Sequence, residues 1–574
     1  MKKHAGNVMA EMLADYGVTA VFGLPGGQTL PLYYGIMDEG DRIRHILMRD
    51  EVNASFAADA YARVTGGIGV CDATAGCGAI RFIPGLAEAY NTSIPVMAIA
   101  AEMETDWLAA TYRGVGAQNV DAQSILKPVT KWHARLLEAN QMPEMLQTAA
   151  QIATSGRPGP VYLECPWRKF KDEYTGPEYR ANKKLANLPA HRPCPSASEV
   201  DEALKLISEA KRPVMLIGGG AWRSGAREEI IKIAEHFAMP GATSLTGKGV
   251  LPEDHALSLG VIGSLGDNKA AKEIVDKADV ILAIGFKFSQ NSSYGWSIPK
   301  EGQKEIRIDI DEAEINRMHT TDVGLVGDAK ATLALMLERA GEPRGGAEIA
   351  KEISALKMEW QEEIRKQTEL SDEIKPQRVT YLLNKLCDED TILTTDASFA
   401  CGWAGRFFDV YGNRRVIMPR GLAGLGYGLP AGVGAAAARP ESPVVVLAGD
   451  GGFSYTLGEL ATIQEQNMNV KVVILNNGVL GWIKWYEAAI WDGRFTEVDS
   501  KKQLDFATVA KGLGCNAISI TDPNTLEEQL KEALSAPGPM LIDITVTETD
   551  ACKFTDDPKA VRYMEDDVAR KRGE

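Results

Sequence analysis

The chain lacks the features that mark several functional classes. Its 8 cysteines are scattered over 574 residues with no Cys-x-x-Cys pair. That excludes a zinc knuckle and a disulfide scaffold, and fits a reducing, cytoplasmic setting. Positive charge is in deficit: 62 Lys and Arg stand against 78 Asp and Glu, a formal net charge of −16, so no nucleic-acid partner is expected. Apolar runs are short, none approaching the roughly eighteen residues a membrane helix needs, so no membrane partner is expected. Glu11 and Asp15 interrupt the N-terminal stretch MKKHAGNVMAEMLADYG where a signal peptide would need an apolar core. There is no short internal repeat. Gly218-Gly-Gly220 follows a strand-like run and could accept a nucleotide, but its spacing is not a dinucleotide fingerprint.

What remains is the composition of a globular protein, 45% hydrophobic and 24% charged, long enough for about three or four domains. Strand-like runs alternate with helical spacing throughout, which reads as α/β with three doubly wound parallel-sheet domains. Strands are expected at Val18–Phe22, Arg44–Met48, Gly69–Ala73, Pro95–Ala101 and Val161–Glu164, then at Val214–Ile217, Val280–Ile284 and Glu305–Ile310. The domains are read as residues 1–172, 196–341 and 377–550. A polar linker (173–195) and a charged helical linker (342–376) separate them, and a charged tail (551–574) follows, read as a frayed terminus or a cap over the site. Three units of similar size suggest related folds.

One stretch organises the last unit: Gly449–Gly478, GDGGFSYTLGELATIQEQNMNVKVVILNNG. It opens after the apolar run Pro443–Ala448 and closes after a second, Val470–Leu475, with Gly458–Gln466 spaced as a helix. Asp450 therefore ends one strand and Asn477 follows the next, at the strand ends where open parallel sheets bind ligands. A carboxylate with neutral oxygens suits Mg²⁺, which shares its sphere with substrate phosphates.

This stretch resembles the diphosphate-binding motif of thiamine diphosphate enzymes. The resemblance implies that Asp450, the Asn477 side chain and the Val479 carbonyl hold Mg²⁺ on the diphosphate. Gly449, Gly451, Gly452 and Ser454 would lie along that diphosphate, at a helix N-terminus. Such a cofactor also needs one glutamate to hold its pyrimidine N1′ protonated, so that C2 of the thiazolium can lose a proton. Glu51, after the strand RHILM and before the small-residue helix VNASFAADAYARVTG, stands where acetohydroxyacid (acetolactate) synthases carry that glutamate. Further matches run along nearly the whole chain: VFGLPGG (Val21–Gly27), TAGCGAIRFIPGLAEAYNTSIPV (Thr74–Val96), AQNVDAQSILKPVTKW (Ala117–Trp132), SGRPGPVYLECP (Ser155–Pro166) and GLAGLGYGLPAGVGAAAARP (Gly421–Pro440). By position, Gln118 resembles the family's pocket glutamine. Gly26 and Gly27 would let backbone approach the thiazolium, Ala423 would meet the 4′-amino group, and Leu425 would prop the cofactor into its bent form.

The chain departs from the family where substrate is chosen. Asp50 stands for a histidine, Cys77 for a proline, Arg81 for an asparagine and Ala117 for a bulky aromatic. Cys77 is read as a small packing residue. Arg81 is a candidate for a substrate carboxylate, and Trp482, Ile483 and Tyr486 are pocket candidates with Ala117. None of the 7 histidines falls in the matched active-site loops; Tyr112-Arg113 and Gln118 stand near where aldehyde-releasing decarboxylases use a histidine pair. Acetolactate synthases bind FAD in the middle domain. This chain has Gly285-Phe-Lys-Phe288 where the family has an arginine, so FAD is the weaker cofactor expectation beside thiamine diphosphate and Mg²⁺.

The resemblance thus implies an acetolactate synthase-like enzyme. It would decarboxylate a 2-oxo acid and ligate the enamine to an acceptor carbonyl, as a homodimer or homotetramer with Glu51 and Asp450 supplied by different subunits. The alternative is a lyase or hydrolase acting on a 2-hydroxy ketone, a cyclic dione or a 2-hydroxyacyl thioester. A non-catalytic cofactor-binding subunit is the third reading, against which the intact Glu51 speaks.

Overall fold

Short β-branched runs, each closed by glycine or a polar cap, become the strands of three six-stranded sheets. The computed structural model describes residues 3–103, 113, 115–266, 268–550 and 558–572. Tyr112 and residues 551–557 of the tail lie outside them. The first sheet contains β1 (Ala20–Gly23), β2 (Arg44–Leu47), β3 (Gly69–Ala73), β4 (Val96–Glu102), β5 (Trp132–Arg135) and β6 (Val161–Pro166). The second contains β7 (Pro213–Ile217), β8 (Gly241–Thr243), β9 (Ser258–Val261), β10 (Val280–Ile284), β11 (Lys304–Asp309) and β12 (Val323–Val326). The third contains β13 (Ile392–Thr395), β14 (Arg415–Ile417), β15 (Val444–Gly449), β16 (Val470–Asn476), β17 (Asn516–Ile520) and β18 (Met540–Thr545). The runs read as strands coincide with ten of these, shifted by about a residue or two at their ends.

The strand orders distinguish the sheets. The first runs β2-β1-β3-β4-β6-β5 and the third repeats that permutation as β14-β13-β15-β16-β18-β17. The middle sheet runs β12-β11-β10-β7-β8-β9, the order of a dinucleotide-binding fold. Only two of the three units therefore share a topology. In each sheet the order reverses beside its first strand, where a ligand crevice is expected. It falls between β1 and β3, between β7 and β10, and between β13 and β15.

The chain packs as two compact units. One comprises Met1–His191, Pro419–Val444 and Thr456–Val470; the other comprises Arg192–Met418, Val445–Tyr455 and Lys471–Glu574. In the first unit the helix Glu51–Thr65, rich in buried alanine, packs against the helix Gly428–Ala438. Small residues let the backbones close up: a Cβ on Gly434 would lie 2.1 Å from the Ala57 carbonyl oxygen. Gly434→Ala should therefore destabilise this unit by about 1–3 kcal/mol, the usual cost of overpacking, read as a lower thermal midpoint with retained far-ultraviolet circular dichroism.

In the second unit the described part of the tail, Pro558–Arg572, is a helix and not a frayed segment. Ala560 and Met564 bury against Trp485 and Ala488. The buried Lys484 ammonium lies 2.9 Å from Asp567 and 2.6 Å from Glu548. A buried ammonium needs such partners, and Asp567 of the terminal helix supplies one.

Candidate active site

The first group of expected site residues belongs to the unit built on the first sheet. After β2, the Asp50 carboxylate accepts the Val52 N–H at 2.8 Å and caps the next helix, which makes Glu51 its first residue. A Cβ on Gly78 would sit 2.9 Å from Glu51 Oε1, so the glycine makes room for the carboxyl. Burial raises the Glu51 carboxyl above its ordinary range; its own backbone N–H opposes the shift and the charge of Asp72 adds to it. Glu459, fully buried, brackets Glu51: its Oε1 accepts the Arg49 N–H at 3.0 Å and Asn53 Nδ2 at 2.8 Å.

Beneath lies a group that sequence reading did not find. Asp72 accepts the Tyr33 hydroxyl at 2.8 Å and lies 2.8 Å from His45 Nε2. The two meet across Gly23, where a Cβ would come 2.1 Å from Asp72 Oδ1. His45 is thus tied to a buried carboxylate whose charge Glu51 feels.

Arg81 is engaged by two acidic side chains. It pairs with Asp50, and its Nε also lies 3.1 Å from Glu51 Oε2. The reason is the pair of acidic residues at the helix start, both within reach of one guanidinium. Gln118 sits at φ +60°, a strained setting for a non-glycine. Its Oε1 accepts Gln28 Nε2 at 3.2 Å, and Gln28 Oε1 accepts the Thr74 hydroxyl at 3.0 Å. Gln28 was not singled out from sequence, although it adjoins Gly27. Ala117 is exposed beside Gln118. Gly26 is needed for packing, since a Cβ there would meet Thr74 Oγ1 at 2.1 Å, whereas the space beside Gly27 is open. Ala423 has φ +58°, and Leu425 is 38% exposed.

The second group belongs to the other unit, at the crevice of the third sheet. Asp450 follows β15. Its Oδ1 accepts the Gly451 N–H at 2.8 Å and its Oδ2 the Gly478 N–H at 2.7 Å. Burial lifts its carboxyl to about 6, against the pull of those two N–H groups. The two amides after β16 have different tasks. Asn476 Nδ2 donates to the Leu504 carbonyl and to Asp543 at 2.9 Å each, so it holds the fold. Among the described residues, the Asn477 side chain makes a local bond, the Val479 N–H donating to its Oδ1 at 3.2 Å. Gly449 is open, and the Ser454 hydroxyl donates to the Asp450 carbonyl at 2.8 Å. Gly452 faces Asp396, whose Oδ1 would lie 2.5 Å from a Cβ.

Downstream, Ile483 and Tyr486 line a cleft of about 930 Å³ with Trp491, Arg494, Phe495 and Tyr563. Trp482 turns instead to Phe399, ring centres 5.3 Å apart. Asp499, Glu548 and Asp567 cluster closely enough to suggest a metal. Lys484 and Lys571 already neutralise them, with Nζ to carboxylate distances of 2.6 to 3.2 Å. In the middle sheet the crevice amides are spent: the Gly218 N–H donates to Ile284 at 3.0 Å and the Gly220 N–H to Gly285 at 3.2 Å. Neither of those two N–H groups is left for a nucleotide phosphate.

Three family models match in order: the N-terminal TPP binding domain of thiamine pyrophosphate enzymes over residues 3–125, their central domain over 200–336, and their C-terminal TPP binding domain over 396–544. The chain belongs to the thiamine pyrophosphate enzymes. It is 36% identical over 551 residues to a probable acetolactate synthase large subunit of Methanocaldococcus jannaschii, covering 93% of this chain and 90% of that protein. It is 35% identical over 567 residues to the acetolactate synthase of Arthrospira platensis, covering 95% and 94%. It is 33% identical over 548 residues to the acetolactate synthase large subunit of Corynebacterium glutamicum, covering 93% and 86%. No helix among the described residues is long and apolar enough to cross a membrane.

The residues present fit the family's cofactor. Asp450, Asn477 and the Val479 carbonyl form an all-oxygen donor set of the kind Mg²⁺ prefers. The Asn477 oxygen accepts one bond and the Val479 carbonyl accepts the Gly481 N–H at 2.9 Å, so each keeps a lone pair. On this thiamine pyrophosphate enzyme's other group, Glu51 is a half-buried carboxyl with a raised affinity for a proton, as a pyrimidine partner requires.

Proposed function

We propose that this chain is a thiamine diphosphate- and Mg²⁺-dependent carboligase of the acetolactate synthase type, which decarboxylates a 2-oxo acid such as pyruvate and joins the remaining fragment to an acceptor carbonyl. The observation that carries the reading is Glu51: a carboxyl raised by burial, kept in place by Asp50, Glu459 and Gly78. The names of relatives aligned over more than nine-tenths of the chain support the reaction type. When bound, thiamine diphosphate supplies the nucleophilic carbon for this chemistry. Glu51 would hold the proton at the pyrimidine N1′. Asp450, Asn477 and Val479 would hold the metal, and Leu425 would press on the cofactor from its exposed position. Gln118, fixed by Gln28, would face the reacting carbonyl. Catalysis is proposed to occur in a cytoplasmic homodimer or homotetramer.

A second reading has one observation behind it. Arg81, the arginine at the departure point of the pocket, is engaged by Asp50 and Glu51, so a donor without a carboxylate, such as a 2-hydroxy ketone, would suit it. Incubation with thiamine diphosphate, Mg²⁺ and pyruvate, followed by NMR, separates the two. Acetolactate formation supports the first. Absence of both carbon dioxide release and any ligation product overturns it in favour of cleavage.

A further inference from the structure

The loop Arg420–Leu425 carries Ala423 in a left-handed conformation, at φ +58°. An alanine does not hold that conformation without help. The help comes from one side chain, Glu88, which is 1% exposed. Its Oε1 accepts the N–H groups of Arg420 at 2.9 Å and Gly421 at 2.8 Å. Its Oε2 accepts those of Gly421 at 3.0 Å, Leu422 at 2.7 Å and Ala423 at 3.1 Å. Four successive amides thus converge on one carboxylate, the arrangement that elsewhere makes an anion-binding nest. Here the anion is the protein's own.

The carboxylate is anchored in turn. Arg63 Nη2 lies 3.1 Å from Glu88 Oε1 and its Nε lies 2.8 Å from Asp59 Oδ2. The Tyr427 hydroxyl donates to Asp59 at 2.5 Å. Gly421 admits the contact, since a Cβ there would come 2.5 Å from the Glu88 carbonyl oxygen. All of these residues belong to the first compact unit.

We propose that Glu88 is a positioning residue for the cofactor: by gathering the amides of residues 420–423 it fixes the Ala423 backbone and projects Leu425 from the loop. This rests on the reading that Ala423 and Leu425 meet the pyrimidine side of thiamine diphosphate. Glutamine at position 88 keeps the volume but offers one carbonyl oxygen and sets an NH₂ against amide donors. The loop would then relax out of the left-handed turn.

The test is the dissociation constant for thiamine diphosphate in excess Mg²⁺, read by quenching of tryptophan fluorescence, in Glu88→Gln, Glu88→Asp and Gly434→Ala. Gly434→Ala serves as a destabilised control away from the loop. Glu88→Gln should weaken binding at least about tenfold, in line with losing a partner that orients a ligand, while Gly434→Ala leaves it within about twofold. Glu88→Asp should fall between wild type and Glu88→Gln; if Glu88→Gln does not fold, it carries the test alone. Unchanged affinity in a folded Glu88 variant overturns the proposal, as does equal weakening in Gly434→Ala. Failure of the wild-type protein to bind thiamine diphosphate overturns the underlying reading as well, so the two failures are distinct.

Discussion

Glu51→Gln should abolish turnover while thiamine diphosphate still binds. The carboxamide fits the same space beside Gly78 and keeps an oxygen for Arg81, so the helix start and its Asp50 cap are preserved. It cannot exchange a proton with the pyrimidine. Losing a positioned acid–base group costs typically about 10²–10⁴-fold in rate. The check is product formation at saturating cofactor, set beside cofactor affinity by fluorescence. Normal turnover in the variant would remove Glu51 from the chemistry. Stability should move the other way. An acid whose folded pKa is raised binds its proton more tightly in the folded protein. Its stabilisation is present below the ordinary carboxyl range and is lost as pH rises through that range toward the raised value. At neutral pH the cofactor-free Gln variant should therefore melt no lower than wild type.

Asp450→Asn should cost metal-dependent cofactor binding, by about 10²-fold or more, beyond the loss seen when only an outer partner of a metal ligand is removed. Asp450 is the one carboxylate in the proposed donor set, and Asn477 and Val479 contribute neutral oxygens. The informative contrast is Asn476→Ala, one residue from the other proposed ligand. Asn476 holds Asp543 and the Leu504 carbonyl, so its loss should lower stability and leave the metal response intact. Thermal midpoints with and without Mg²⁺ and thiamine diphosphate separate these cases, because a ligand stabilises only a fold that binds it. Equal ligand-induced shifts in wild type and Asp450→Asn would refute the metal assignment.

The parts of this molecule that could be read from its sequence share a physical cause. Strands β3, β4, β10 and β16 are interior and buried throughout, and most of their residues are apolar. Strands β2, β5, β9, β12, β14 and β17 lie at sheet edges, and of these only β2 was read from the sequence. Half-exposed sequences such as Trp-His-Ala-Arg in β5 carry no such apolar majority. Asp450, Asn477 and Glu51 could be singled out as candidates because glycines and strand ends frame them. Glu88, Glu459 and Asp72 were not, because their partners lie far along the chain: Glu88 meets residues 420–423, and Glu459 meets Arg49 and Asn53. A hint existed. Each is an isolated acid in an apolar setting, which is costly unless paired. The ion pairs of Arg81 were not legible for the same reason, since its partners Asp50 and Glu51 depend on how the β3 loop returns to the helix start.

The first and third sheets share one strand permutation, and the expected residues for the two ends of the cofactor flank the crevice of each. In the proposed reading, each of these two like scaffolds would serve one end of the cofactor with a reagent of its own. The division of labour then resides in a few side chains. Under the proposed reading, the difference in chemistry rests chiefly on a proton-holding glutamate in one copy and a cation-holding aspartate in the other. Exchanging substrates over time would require changing neither, only the lining around Arg81, Ala117 and Tyr486.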